Sequence, residues 1–529
     1  MNDKKISFIY CVNNFHIYDE SVKYIKGLNV PDGYEFDIIP IENPTSITSG
    51  YNKALALSDA KYKVYLHQDV FILNKNFIFD ILDIFQQDLN IGLLGLTGSK
   101  VIPTTGILNE AQIKYGKIYD NRTGQINLYE FEDILNKYET VQAIEGFIMI
   151  TQYDISWRDD LFDDLYYYST SQSVEFLKKG YQVVVPKQAK PWCLHDCGIK
   201  EYELSKNCRK NFLEEYSNEI YPLVSILIPT YNRPELFQLA LESAINQTYK
   251  NIEIIIGDDS TNDETEELIR KNYLNKYSNI KYYHNKSNLG QFKNDIKLYN
   301  MSSGEFVNYL MDDDVFEFTK IEKMMDYFIN DVNQEISLVT SYRGTLDYLG
   351  NKKGVFGDID KIFKSDTVLD GIKLGNLVLI NNFNCIGEPT TVLFRKSKLE
   401  EPFGVFNNRE YGCNVDQATW LNLLSNGKAV IITEILSYFR IHDSQQLSSP
   451  KMKLLGAVDY AHEILTANKK GFIQNTNEAR KALSRSILYC EKIISEFNYS
   501  DEKELNQEFN NLIYYFNKLQ ECYYTYQVN

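Results

Sequence analysis

Long apolar runs are the first thing missing. Nowhere in the 529 residues do about 18 apolar side chains follow one another, the length a membrane-crossing helix needs. The amino terminus, MNDKKISFIYCVNN, enters a strand pattern without a charged leader and apolar signal core, so a cytoplasmic protein with no transmembrane segment is the expectation. Basic residues are in deficit: 55 lysines and arginines against 72 aspartates and glutamates leave a formal charge of −17. Such a chain is a poor trap for nucleic-acid phosphate, and no nucleic-acid partner is expected. The eight cysteines, at 11, 193, 197, 208, 385, 413, 490 and 522, are scattered and mostly set in apolar surroundings, which suits reduced thiols better than a disulfide framework. One pair, Cys193 and Cys197, brackets His195, but no second pair with ligand spacing accompanies it, so zinc is set aside. A basic Gly-rich phosphate loop is absent too, which leaves a nucleotidyltransferase without support.

What is present is length enough for about two to four domains, and many aromatic rings. Forty tyrosines and 29 phenylalanines spread through every segment. They suit core and rim packing, and such rings also fit the apolar faces of sugars.

The most informative stretch is YLMDDDVFEF at 309–318, where a short apolar run ends in Asp312, Asp313 and Asp314. Three adjacent anions repel unless a cation sits among them, and hard divalent ions take carboxylate oxygen while leaving room for phosphate. On a strand, Asp312 and Asp314 would share a face. The ordinary reading of such a triplet is an acidic turn or a helix cap. Upstream, two β-branched runs at 224–229 and 252–257 flank a helix-period stretch at 234–247, the pattern of one strand, helix, strand unit of a parallel sheet. Both strands end in polar residues, Thr230-Tyr231-Asn232 and Asp258-Asp259-Ser260. These would lie side by side at the carboxyl edge, where open α/β sheets bind ligands.

Residues 222–447 carry PTYNR, DDST, NLG, DDD, EPTTVLFRK, NVDQATW and YFRIH in that order. With them the segment resembles a family-2 glycosyltransferase domain of the GT-A fold. The resemblance implies an α/β fold on a mixed, mostly parallel, Rossmann-related sheet and an inverting transfer from a nucleotide sugar, UDP-linked by preference. The acceptor would be a saccharide or glycoprotein in bacterial surface-glycan assembly, and the cofactor Mn²⁺ or Mg²⁺. It assigns Pro229, Thr230, Tyr231, Asp258, Asp259, Asn288, Gly290, Asp312 and Asp313 to the nucleotide and donor. Asp314 and His442 would be metal ligands, with Arg440 near phosphate. His442 alone would more often be a structural hydrogen-bonder. Glu388 would meet acceptor or donor sugar. Asp416 would be the general base that takes the acceptor proton, or otherwise the N-cap of the helix at 417–426.

Residues 1–200 show a second strand and helix alternation that echoes this layout, with His67-Gln68-Asp69 where DDD would fall. Through SGYNKAL, YLHQDVFI, IEGFIMITQYDISWRDDLF and PKQAKPWCLHDCG the segment resembles a glycosyltransferase-like family related to family 2. Two tandem GT-A-like domains are therefore expected. Candidate site residues here are Asn13, Glu42, Asn52, Asp69 and His195. The family's usual aspartate before a Ser-Gln is missing from the run 167–172, YYSTSQ. A hydroxyl of ordinary pKa does not readily take a proton from a sugar alcohol at neutral pH. Either Asp163 or Asp164 substitutes, or the domain binds without turnover. The whole chain as a binding or scaffold protein that recruits an acceptor or partner is the competing class.

Residues 201–221 are charged, helix-compatible and free of glycine, the signature of a stiff connector. After the break at Ser448-Ser449-Pro450, helix periods appear at 451–469, 475–497 and 501–526. They read as a helical cap on the second domain or as a homodimer or acceptor surface.

Overall fold

The computed structural model describes residues 1–163, 166–199, 206–347, 350–357, 359–441, 449–497 and 505–528. The chain divides into two compact units, Met1–Tyr221 and Pro222–Asn529.

In the second unit the strands Val224–Thr230 and Ile252–Asp258 are buried along their whole length. That explains their largely apolar, β-branched sequence, since a central parallel strand has helices or loops over both faces; the one polar residue inside each run is paired across the strands, Ser225 Oγ donating to Glu253. The sheet runs Ile280–His284, Ile252–Asp258, Val224–Thr230, Phe306–Tyr309, Leu393–Arg395, Ile336–Leu346, Lys428–Arg440 and Val315–Phe316. Its first four strands are parallel, Leu393–Arg395 is antiparallel to both neighbours, and Ile336–Leu346 and Lys428–Arg440 are parallel again.

The first unit repeats this order. Its main sheet runs Glu35–Glu42, Asn2–Val12, Ala60–His67, Ile148–Thr151, Ile91–Gly95, Gln182–Pro186 and Tyr138–Val141. Ile148–Thr151 is the inserted antiparallel strand, and Gln182–Pro186 is parallel to Ile91–Gly95. Both units are thus mixed α/β sheets of one design. A second, smaller sheet pairs Cys193–His195 antiparallel to Val70–Ile72, which sets His195 opposite Val70 and beside Asp69.

The described part of the stretch read as a connector forms the helices Lys206–Glu215 and Ser217–Ile220. Phe212 is fully buried there and stacks on Tyr167 at 5.0 Å. The carboxyl-terminal helices Pro450–Thr466, Thr476–Glu496 and Asn506–Val528 share one apolar core with the second unit's sheet and helices. Their contact is polar as well as apolar: Tyr460 donates to the Leu379 carbonyl at 2.8 Å. Among the described residues no helix is long and apolar enough to cross a membrane.

Candidate functional site

The register sets Thr230 beside Asp258, so the loops that follow the two central parallel strands leave the sheet together. Hydrogen bonds tie them: Asp259 N donates to the Thr230 carbonyl, Asn232 N to Ser260 Oγ, and Thr261 N to Asn232 Oδ1, each at 2.9 Å. Beyond this edge lies a cavity of about 380 Å³, whose walls include Pro229, Thr230, Tyr231, Arg233, Asp259, Asn288, Gly290, Asp312 and Asp313. Asp259 is buried and accepts from Asn285 Nδ2 at 2.6 Å and from the amides of Leu289 and Gly290. It therefore shapes the loop at 288–290, in which Gly290 takes a φ of +78° that a side chain would strain.

The three aspartates sit on a turn past the end of the Phe306–Tyr309 strand, and they do not share a face as they would on a strand. Asp312 turns toward the first loop, accepting from Thr230 Oγ1 at 3.0 Å and Tyr231 N at 3.2 Å. Asp313 pairs with Arg233 Nη1 at 2.9 Å, and the same guanidinium reaches Asp312 at 3.4 Å. Asp314 points the other way, accepting from Thr390 Oγ1 at 2.6 Å and Arg440 N at 3.1 Å. Burial, with the charge of Asp313 added, pushes Asp312 up to about 6 and Asp314 well above the carboxylate range. Arg440 Nε donates to the Asp313 carbonyl at 2.8 Å, so this arginine braces the turn.

Further along lies a second group of carboxylates. Glu388, before the turn Pro389–Thr391, forms an ion pair with the buried Arg343 at 2.7 Å. Its charge adds to the upward shifts of both Asp314 and Asp416. Asp416 is in the first turn of the helix Val415–Ser425, and the capping position belongs to Asn414. Asp416 accepts from Asn384 Nδ2 at 3.0 Å and Gln417 N at 2.8 Å, and burial pushes it up to about 6. The loop in front of that helix hangs on Asp459, which is fully buried. One Asp459 oxygen accepts the amides of Gly412, Cys413 and Asn414 at 2.8–3.1 Å. The other meets Arg409 at 2.8 Å.

The first unit has a cavity of about 520 Å³ at the same sheet edge, lined by residues including Asn13, Tyr51, His67, Asp69, Asp163 and His195. Gln68 plays the part of Asp312: its Oε1 accepts the amides of Asn13 at 3.0 Å and Asn14 at 2.9 Å. His195 Nδ1 meets Asp120 at 3.1 Å, and its Nε2 lies 3.6 Å from Asp69. Burial lowers the His195 pKa, but the hydrogen bonds to Asp120 and Asp69 outweigh it and hold it well above the usual imidazole value.

Several sequence candidates lie off both cavities. Asp258 is fully buried and accepts from Ser260 N at 2.8 Å and Tyr282 Oη at 2.7 Å, closing the strand end. Asn52 is committed to the Trp157 backbone through two hydrogen bonds at 2.8–2.9 Å. Glu42 is exposed and is not among the residues that line the first cavity. His442 and Asp164 lie outside the described residues. Sequence reasoning assigned nothing to Arg233, Arg343, Asn384, Asp459 or His67. Arg233 and His67 stood inside quoted motifs; Arg343 and Asp459 carry no local signal, being defined by partners tens of residues away.

Residues 7–216 match the family model described as glycosyltransferase like family, and residues 225–398 match glycosyl transferase family 2. A relative from Campylobacter jejuni, named GalNAc(5)-diNAcBac-PP-undecaprenol beta-1,3-glucosyltransferase, is 30% identical over 236 residues, 44% of this chain and 69% of its own. One from Escherichia coli, named UDP-Glc:alpha-D-GlcNAc-diphosphoundecaprenol beta-1,3-glucosyltransferase, is 29% identical over 234 residues, 44% of this chain and 82% of its own. Among solved structures, S. aureus TarS 1-349 in complex with UDP-GlcNAc aligns with 18% identity and a TM-score of 0.37, over 57% of this chain and 91% of that one.

Proposed function

The chain belongs to glycosyltransferase family 2, and from that premise we propose that its second unit moves a sugar, with inversion, from a UDP-linked donor to a lipid-linked saccharide. The observation that carries this reading is the single edge of the sheet at which Thr230, Tyr231, Asp259, Asp312 and Asp313 line one cavity. Its volume falls in the ordinary range for small-molecule sites. Tyr231 is half exposed there and free to lie against a base, while the nearby polar groups suit ribose and base edges.

A divalent cation fits the turn on electrostatic grounds. Burial and the charge of Asp313 lift both Asp312 and Asp314, and a cation relieves such crowding. Asp314 is the ligand we assign, and Mn²⁺ or Mg²⁺ held there supplies neutralising charge for a departing diphosphate. Asp416 is the base. With a value near 6 it is ionised at neutral pH and still basic enough to accept a hydroxyl proton. Asn384 fixes one of its oxygens, and Glu388, steadied by Arg343, meets the sugar. The acceptor class follows from the names of the two relatives, both of which specify an undecaprenol diphosphate saccharide and a β-1,3 product. Bacterial surface-glycan assembly is the setting this supports.

For the first unit a non-catalytic role is the reading we favour, on one observation. Its helix Tyr168–Lys178 precedes the strand Gln182–Pro186 as Val415–Ser425 precedes Lys428–Arg440, yet its second residue is the buried Ser169 where the other helix has Asp416. Purified protein with Mn²⁺, a panel of UDP-sugars and a short polyprenyl-diphosphate GlcNAc acceptor should give a product one sugar heavier by mass spectrometry. Transfer undiminished in both Asp416→Asn and Asp314→Ala would remove the proposal.

A further inference from the structure

One wall of the second unit's cavity is aromatic and is claimed by no nucleotide contact. Phe439, near the end of the Lys428–Arg440 strand, is half-buried and lines that cavity together with Tyr231, Asp312 and Asp313. We infer that the Phe439 ring is the surface against which the pyranose of a UDP-linked donor lies, so that it tells the sugar nucleotide from the nucleotide alone. This rests on the second unit being a UDP-sugar transferase and adds to it the place of the transferred sugar.

Hydrogen bonds along the acidic turn set the side of the cavity that Phe439 occupies. On one side Tyr231 N donates to Asp312, in the loop proposed to meet the base. On the other, Arg440, the residue after Phe439, donates its amide to Asp314 and its Nε to the Asp313 carbonyl. The turn therefore lies between Tyr231 and Phe439. A diphosphate held at the turn sends the base toward one ring and the sugar toward the other. The contacts beyond Phe439 lead the same way. Phe439 stacks on Phe356, with ring centroids 5.7 Å apart and planes 28° from parallel. The Arg343 guanidinium lies over the Phe356 ring, 5.3 Å from its centroid, and pairs with Glu388 at 2.7 Å. Glu388 is in turn near enough to Asp416 for its charge to act on it. Phe439 is thus joined through two side chains to the carboxylates proposed to meet the sugar and the acceptor.

The ring is also firmly backed. Phe356 follows the strand Lys352–Val355, which runs antiparallel to Ile336–Leu346, and its amide donates to the Arg343 carbonyl at 2.7 Å. The side chain behind Phe439 is therefore anchored to the same residue that steadies Glu388. An aromatic ring held this way offers a large contact area with little torsional freedom to lose on binding. The axial C–H groups of a pyranose make an apolar patch that suits the face of such a ring, while its hydroxyls remain at the rim for polar partners. A phenyl ring gives a diphosphate neither charge nor a donor, so its place past the acidic turn is best used by what lies beyond the phosphates.

The competing accounts are a ring that stacks on the uracil and a ring that only packs Phe356 against the sheet. Isothermal titration of the full-length protein with Mn²⁺ separates them, using UDP and the UDP-linked forms of glucose, galactose, N-acetylglucosamine and N-acetylgalactosamine. Phe439→Ala should weaken the best-bound UDP-sugar about tenfold and leave UDP within about twofold, and Phe439→Tyr should restore the wild-type affinity. Phe356→Ala should give a smaller loss of the same kind, whereas Tyr231→Ala should weaken UDP and the UDP-sugar alike. Should Phe439→Ala fail to fold by circular dichroism, Phe439→Leu, which keeps apolar volume without the ring, decides the matter. Equal losses for UDP and the UDP-sugar overturn the assignment in favour of the base, and unchanged affinity for both overturns it in favour of packing. Asp416→Asn should leave these affinities within about twofold. A wild type that shows the split yet forms no product therefore supports the sugar's place and contradicts the transfer step alone.

Discussion

The two units share a sheet order and differ in the chemistry they hang on its edge. Each has a turn after the last of its first run of parallel strands, Ala60–His67 in one and Phe306–Tyr309 in the other, that ends in Asp-Val-Phe: Asp69-Val70-Phe71 in the first and Asp314-Val315-Phe316 in the second. The preceding pair is His67-Gln68 in one and Asp312-Asp313 in the other. The second unit answers its clustered negative charge with Arg233. The first has imidazoles at the equivalent place and a neutral Gln68 to hold the loop. Topology settles where a ligand would sit; a few side chains settle what kind, because ligand preference depends on donor atoms while the edge depends on strand connectivity.

The sharpest break of this comparison is at the paired helix starts. Asp416→Asn should lower transfer about 10²- to 10⁴-fold in a coupled UDP-release assay, whereas Ser169→Ala should change it less than about twofold. Equal losses would mean that the first unit also performs the chemistry. Next in size, Asp314→Asn should cost on the order of a hundredfold in the same assay, because charge on the leaving diphosphate goes unanswered. Asp69→Asn should instead spare transfer.

Acid gives the third effect. Asp416 works as an anion and its pKa is raised to about 6. The rate should be level above that value and fall about tenfold per pH unit below it. Asp416→Asn should flatten the acid limb, and a limb that survives belongs to another group. Smallest is the loop after the first strand, where Tyr231 stands in one unit and Asn13 in the other. Tyr231→Ala should raise the donor KM by about tenfold with kcat little changed, the size of one ring stacked on a base.

Much of this edge is legible in the sequence alone. The strand runs at 224–229 and 252–257 needed only β-branched, largely apolar sequence, and the structure extends each by one residue. The carboxyl-terminal helices were read from spacing to within a few residues at most of their described ends. The repeat itself showed in the echo of His67-Gln68-Asp69 and Asp312-Asp313-Asp314. Less legible was the direction of each acidic side chain. Asp258 and Asp259 are neighbours of the same type, yet one closes a strand end and the other shapes the loop at the cavity. A strand would have put Asp312 and Asp314 on one face, but the strand stops at Tyr309 and the turn sends them apart.

Local sequence thus determined the α/β alternation, the tandem design and the kinds of residue offered at each strand end, since periodicity and turn chemistry act over a few residues. Tertiary structure alone decided that Asp459 suspends the loop before Asp416, that Arg343 steadies Glu388, and that His195 returns beside Asp69. Those pairings join residues 45 to 126 positions apart, and their geometry comes from how sheets and helices pack, which no short window of sequence contains.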